Sequence, residues 1–155
     1  MRRGSKMRSA LARHGQAGDI VIRARGTRGQ YLAGYHEVDI ALDTYPYNGV
    51  TTTCDALWMG VPTVTLAGDT HVSRAGVSLL SAVGLPELIA RTQEEYVEIA
   101  VTLATDVPRL AALRAGLRER VRRSALADGA GLAAAIEAAY QEMWRLRETQ
   151  GSSGP

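Results

Sequence analysis

The 155-residue sequence holds one cysteine, Cys54, and one lysine, Lys6. A lone thiol cannot close an internal disulfide, which suits a reducing, cytoplasmic setting. No C-x-x-C or Cys/His cluster is present, so no structural zinc site is expected. No apolar run reaches the roughly 18 residues of a transmembrane helix, so no membrane partner is expected. A formal charge of +2 is too small to argue for nucleic acid. The sequence has neither G-x-x-x-x-G-K-[ST] nor G-x-G-x-x-G, which removes the usual support for a P-loop, nicotinamide or flavin site. There is no D-x-D to suggest a metal, no carboxylate pair placed for glycosidase chemistry, no internal repeat and no low-complexity segment. What is present is a 46% apolar fraction, enough to build a core.

Residues 1–18 carry five Arg/Lys and no acid. They resemble a transit peptide in charge but lack an apolar core, and read as a basic, solvent-facing helix. Beyond them, strands and helices alternate. Asp19 to Arg25 is short and β-branched and predicts a strand. Gln30 to Val38 predicts a short helix, and Asp39 to Leu42 a compact strand with Asp43 at its end. Thr44 to Val50 is a loop, marked by Pro46 and Asn48-Gly49. Thr51 to Met59 predicts a helix stopped by Gly60 and Pro62. Thr63 to Leu66 predicts a strand, and Ser73 to Val83 a helix closed by Gly84.

The remainder reads as helical. Thr92 and Asp106 are N-caps, with Pro108 near the first position of the second helix. Leu110, Leu113, Leu117 and Val121 mark one apolar face of that helix. A last helix is expected from about Gly131 to Arg147, packed through Tyr140 and Trp144. Residues 149–155 are expected to be a frayed tail. Such alternation predicts an α/β fold, a parallel sheet with flanking helices. Three visible strands are fewer than the five or six usual in a doubly wound lobe, roughly speaking, so the amino-terminal side is expected to be truncated.

The stretch that points to chemistry is Asp39 to Pro62, DIALDTYPYNGVTTTCDALWMGVP. A strand ends, a glycine-containing loop follows, and a helix opens with three threonines. Ligands of open α/β sheets bind beyond the carboxyl ends of strands, and free N–H groups at a helix start attract phosphate. Gly49 would let backbone approach a ligand closely. Asp55, one turn in, could accept from the two hydroxyls of a ribose. The same residues also suit plain capping and turn formation: Thr as N-cap, Asp beside the positive end of the helix dipole, Asn-Gly as a turn. Local chemistry alone leaves both readings open. Elsewhere, Trp58 and Met59 read as core, and Arg118, Arg120, Arg122 and Arg123 as a solvated helix face. Cys54 has no partner pattern that would mark a nucleophile.

N-G-x-T-T, D-A-L-W-x-G-x-P and the later S-R-x-x-x-S-L-L occur together here. The run DIALDTYPYNGVTTTCDALWMGVPTVTLAGDTHVSRAGVSLLSAVGLPELIA resembles the carboxyl-terminal catalytic lobe of SPINDLY-like and O-GlcNAc transferase-like bacterial proteins, glycosyltransferase family 41. The likeness extends loosely from Gly18 to Met143, and residues 19–148 are expected to form a nucleotide-sugar-binding lobe. The resemblance implies a GT-B fold: two Rossmann-like lobes, of which this one grips the UDP of UDP-GlcNAc or a related UDP- or GDP-sugar. It implies hexosyl transfer to a protein Ser/Thr hydroxyl, with no cofactor beyond the donor. A catalytically inactive nucleotide-binding module is the alternative.

By that resemblance Thr51 and Thr52 match the pair that meets the diphosphate, Asp55 the acid that holds the ribose, and Asn48 and Gly49 the loop near the nucleotide. Arg28 lies where a basic residue is common. Tyr31 replaces a histidine that packs near the base, and an aromatic face could still stack there. Val50 replaces a histidine found in the animal enzymes. His71 lies in a common bacterial pattern without an assigned role. No counterpart is visible for the partner lobe, for the lysine that neutralises the donor phosphates, or for tetratricopeptide repeats that choose the acceptor. No catalytic residue is assigned.

Overall fold

The computed structural model describes residues 21 and 23–151. The chain divides into two units between Tyr31 and Leu32, each described by itself. The basic segment 1–18 and most of the strand expected at Asp19 to Arg25 lie outside the described residues. The described part of that stretch, Val21 and Arg23 to Arg25, has no strand structure.

Helix α1 (Arg28–Ala33) crosses the division and runs into a 3₁₀ turn, Gly34–Glu37. The elements after it are β1 (Ala41–Leu42), α2 (Val50–Trp58), β2 (Thr63–Leu66), α3 (Ala75–Ala82), β3 (Ile89–Ala90), α4 (Gln93–Thr105), α5 (Val107–Arg123) and α6 (Gly129–Gly151). The strands form a parallel sheet in the order β1-β2-β3, with Ala41 paired to Thr63 and Thr65 to Ile89. The architecture is the Rossmann-like parallel sheet with flanking helices expected of a GT-B carboxyl-terminal lobe. Three strands were expected among three segments, and three occur, but one differs: β3 was not legible. It is two residues long and follows a 3₁₀ turn at Pro86–Leu88, too short for any periodicity to register.

β2 lies in the middle of the sheet and is buried at all four positions. That explains its uninterrupted β-branched and apolar character, since a central parallel strand is covered on both faces. The core continues through Leu57 of α2, Leu80 of α3, Leu88, Leu103 of α4, and Leu110 and Leu117 of α5. Val121 is buried with them and Leu113 packs against them, so the face read at spacings of three and four is the face that docks.

Both predicted caps are present. The Thr92 hydroxyl accepts from Glu95 N–H at 3.1 Å, and the Asp106 carboxylate from Arg109 N–H at 3.1 Å.

The arginines of α5 do more than face solvent. Arg118 Nε donates to the Trp58 carbonyl at 2.9 Å and its guanidinium stacks 5.2 Å from the Trp58 ring centroid. Arg114 donates to the carbonyls of Val38 and Asp39, and Arg120 to that of Gly84. Only Arg122 and Arg123 behave as a surface pair, both bonded to Glu119. Trp58 is correspondingly no core residue: it is 42% exposed and covered by an arginine, because its position turns outward where α2 ends.

Tyr140 and Trp144 do not pack the last helix either. They are 67% and 61% exposed, and every described side chain of α6 is exposed. Among the described residues no helix is long and apolar enough to cross a membrane.

Candidate functional site

The site is built where β1 ends. Asp43 follows the strand, Thr44 to Asn48 form the loop, and Gly49 takes the N-cap position of α2. Gly49 has no side chain to offer the helix, so the loop supplies the partner. Asp43 Oδ1 accepts from Gly49 N–H at 2.8 Å and from Thr44 N–H at 3.0 Å. Asp43 Oδ2 accepts from the Thr65 hydroxyl at 2.9 Å. The Asp43 carbonyl accepts from the Tyr96 hydroxyl of α4 at 2.8 Å. One acid thereby ties together the end of β1, the middle of β2, the start of α2 and the flank of α4.

Asn48 secures the loop from beneath. It is 1% exposed, its Nδ2 donates to the Thr44 carbonyl at 3.0 Å, and its Oδ1 accepts from Gly76 N–H at 3.2 Å. Its own N–H donates to the Val72 carbonyl at 2.9 Å, joining this loop to the one after β2. Gly76 must be glycine here, because a Cβ would overlap the Thr65 hydroxyl and Asp43 Oδ2. The loop after β2 closes on itself by a reciprocal capping box between Thr70 and Ser73. His71 opens that turn with its side chain exposed.

Asp55 follows Thr51 by four residues and Thr52 by three, so each threonine neighbours it on one side of α2 at its start. Thr51 and Thr52 are exposed and Asp55 is half-buried. The first turn of a helix leaves N–H groups without intrahelical acceptors, and the Gly49 amide is the one that Asp43 takes. The space left by the missing Cβ of Gly49 is taken by the Thr52 hydroxyl. A cavity of about 120 Å³ opens beside this helix, lined among others by Tyr35, Asp43, Thr44, Thr52, Thr53 and Thr63. The Tyr35 hydroxyl donates to the Thr52 carbonyl at 3.2 Å.

Five of the seven sequence candidates therefore meet at one junction: Asn48, Gly49, Thr51, Thr52 and Asp55. The other two, Arg28 and Tyr31, lie on α1 before the division of the chain, with the Arg28 guanidinium 5.6 Å from the Tyr31 ring centroid.

Two titrations are displaced at this junction. Burial, then the neighbouring Asp55 charge, pushes the Cys54 thiol up, the wrong direction for a thiolate nucleophile. Burial, then Asp43, pushes the Tyr96 hydroxyl up, which keeps it a donor. Among the described residues no cluster of three or more His, Cys, Asp and Glu side chains could hold a metal ion.

Sequence reasoning stopped at Asp43 as the end of a strand and missed its role, and with it Thr65, Gly76 and Tyr96. A signal existed: a helix whose N-cap is glycine needs a capping group from elsewhere, and an acid six residues earlier is a candidate.

The sequence profile described as Glycosyl transferase family 41 matches residues 7–135. The chain belongs to that family. Over 115 residues it is 50% identical to a probable UDP-N-acetylglucosamine–peptide N-acetylglucosaminyltransferase SPINDLY of Petunia hybrida, covering 74% of this chain and 12% of that protein. Over 111 residues it is 41% identical to the UDP-N-acetylglucosamine–peptide N-acetylglucosaminyltransferase of Caenorhabditis elegans, covering 72% and 10%. A solved structure of a mutant O-GlcNAc transferase from Thermobaculum terrenum superposes with a TM-score of 0.84 at 44% identity, over 91% of this chain and 27% of that one. The family 41 chain described here thus spans about an eighth of the length of the curated relatives it matches and about a quarter of the solved chain.

Proposed function

We propose that this chain is the donor-binding part of a protein O-GlcNAc transferase-like glycosyltransferase, which moves GlcNAc from UDP-GlcNAc to a protein Ser/Thr hydroxyl. The observation that carries the reading is the common placement of Thr51, Thr52 and Asp55 on one side of the start of α2, beyond the end of a parallel strand. The diphosphate takes the free amides of the first turn and the two hydroxyls, and Asp55 accepts from the ribose. Charge grows on the diphosphate as the glycosyl bond breaks, so oriented N–H and O–H donors stabilise the departing UDP without a metal. Asn48 and Gly49 act on the donor through the shape of the loop. Arg28 and Tyr31 stand as further donor contacts on the resemblance alone. A second lobe and an acceptor groove belong to the same reading, as does a cytoplasmic setting, which suits the single thiol of Cys54.

The test is calorimetric titration of the chain with UDP, beside Asp55→Ala. Saturable binding that the substitution removes supports the donor reading. No binding by a cooperatively folded chain defeats it.

A further inference from the structure

We propose that Asp43 is a positioning residue for the donor site, acting through the loop and not on the ligand; this rests on the donor reading above. Its carboxylate receives three donors from three places: the Gly49 amide at 2.8 Å, the Thr44 amide at 3.0 Å and the Thr65 hydroxyl at 2.9 Å. Thr65 is 0% exposed and sits on the central strand, so it is the fixed end of the arrangement. The Gly49 amide is the movable end, and it belongs to the residue from which α2 starts. Tyr96 holds the same residue by its carbonyl from the far side. Asp43 therefore transmits the position of the sheet to the first turn of α2, where Thr51 and Thr52 lie.

An acid close to an anion site would be expected to repel the diphosphate if its charge faced the ligand. Here the negative charge is spent on two amides and a hydroxyl, and the same bonds orient the turn. The geometry makes a specific demand. Asparagine in this place keeps one carbonyl oxygen for the Gly49 and Thr44 amides. Its NH₂ can donate to Thr65, whose hydroxyl rotates to accept. Alanine keeps none of the three bonds.

The experiment compares UDP dissociation constants of the chain and its Asp43→Ala, Asp43→Asn, Thr65→Val and Thr65→Ser variants, with the Gly49 amide resonance followed in ¹⁵N-labelled protein. Asp43→Ala is expected to weaken UDP binding about tenfold and Asp43→Asn by less than about threefold, since a shape role survives loss of charge. Thr65→Val is expected to weaken binding about threefold, and Thr65→Ser to restore it. The Gly49 resonance should move in Asp43→Ala and stay near its place in Asp43→Asn. Loss of global stability alone would leave the affinity of the folded fraction unchanged. A folded Asp43→Ala protein with undiminished affinity overturns the inference, as does Asp43→Asn binding as weakly as Asp43→Ala. If Asp43→Ala does not fold, undiminished affinity in Thr65→Val overturns it instead. Absence of UDP binding by the unaltered chain removes the donor reading itself and this inference with it.

Discussion

Thr51 and Thr52 present hydroxyls at the start of α2, while Thr53, the next residue, is 3% exposed and faces the sheet. The three threonines look alike in the sequence and only the first two are exposed. Replacing Thr51 and Thr52 together by alanine should weaken UDP binding by about tenfold without lowering the melting temperature by more than a few degrees; calorimetry and a thermal scan check both halves.

Thr63 offers the converse case. Its hydroxyl is buried and finds no hydrogen-bond partner among the described residues. Thr63→Val keeps the shape and removes the orphaned group, so it should stabilise the fold by about 1 kcal/mol in chemical denaturation.

Glu119 is a third residue-level case. The hydrogen bond from Arg122, then that from Arg123, holds its carboxyl down at about 2 against an ordinary 4.5. A depressed carboxyl contributes its stabilisation above the ordinary value and loses it as pH falls through about 2. The group is exposed, so the contribution is screened. A ¹³C titration of the Glu119 carboxyl should give a midpoint near 2 that rises toward 4.5 in Arg122→Ala.

At the scale of elements, the helices were legible because their signals are local. Thr92 and Asp106 cap where capping residues belong, and the four aliphatic residues of α5 face one way. Most of their termini moved by a residue or two, as fraying ends do, but the last helix runs to Gly151, past Arg147 and into the stretch expected as a tail, and the helix expected to Val38 ends at Ala33 and continues as a 3₁₀ turn. Substituting either cap by alanine should cost about 1 kcal/mol, read from a shift of the denaturation midpoint at constant slope.

Gly60, which ends α2, has a φ of 79°, and an added Cβ would stand 3.2 Å from the Arg114 carbonyl. Gly60→Ala therefore combines a left-handed backbone penalty with a tight contact against α5 and should cost about 1–2 kcal/mol. The sequence showed a stop at Gly60. That the stop lies against α5 could not be read from it, because the neighbour is more than fifty residues away.

For the molecule as a whole, the core runs from α2 to α5, and the described part of α6 adds no buried side chain. The packing expected of Tyr140 and Trp144 followed from their spacing. Spacing reports that a face is apolar and says nothing of whether anything meets it. Removal of residues 129–155 should leave a cooperative melt with its midpoint shifted by only a few degrees, in the range of about 1 kcal/mol for a domain of this size.

The sequence by itself determined the helices, the central strand, the loop at Asn48-Gly49 and the threonine-aspartate motif, because each is written in neighbouring residues or in a long characteristic run. The tertiary structure alone decided which threonines face out, that Asp43 rather than a side chain at Gly49 holds the start of α2, that Arg114, Arg118 and Arg120 bond backbone carbonyls, and that β3 exists. The Asp43–Gly49 bond spans only six positions, but the Thr65, Tyr96, arginine and β3 contacts join groups twenty to seventy-five positions apart, a separation over which no local pattern in the chain carries information.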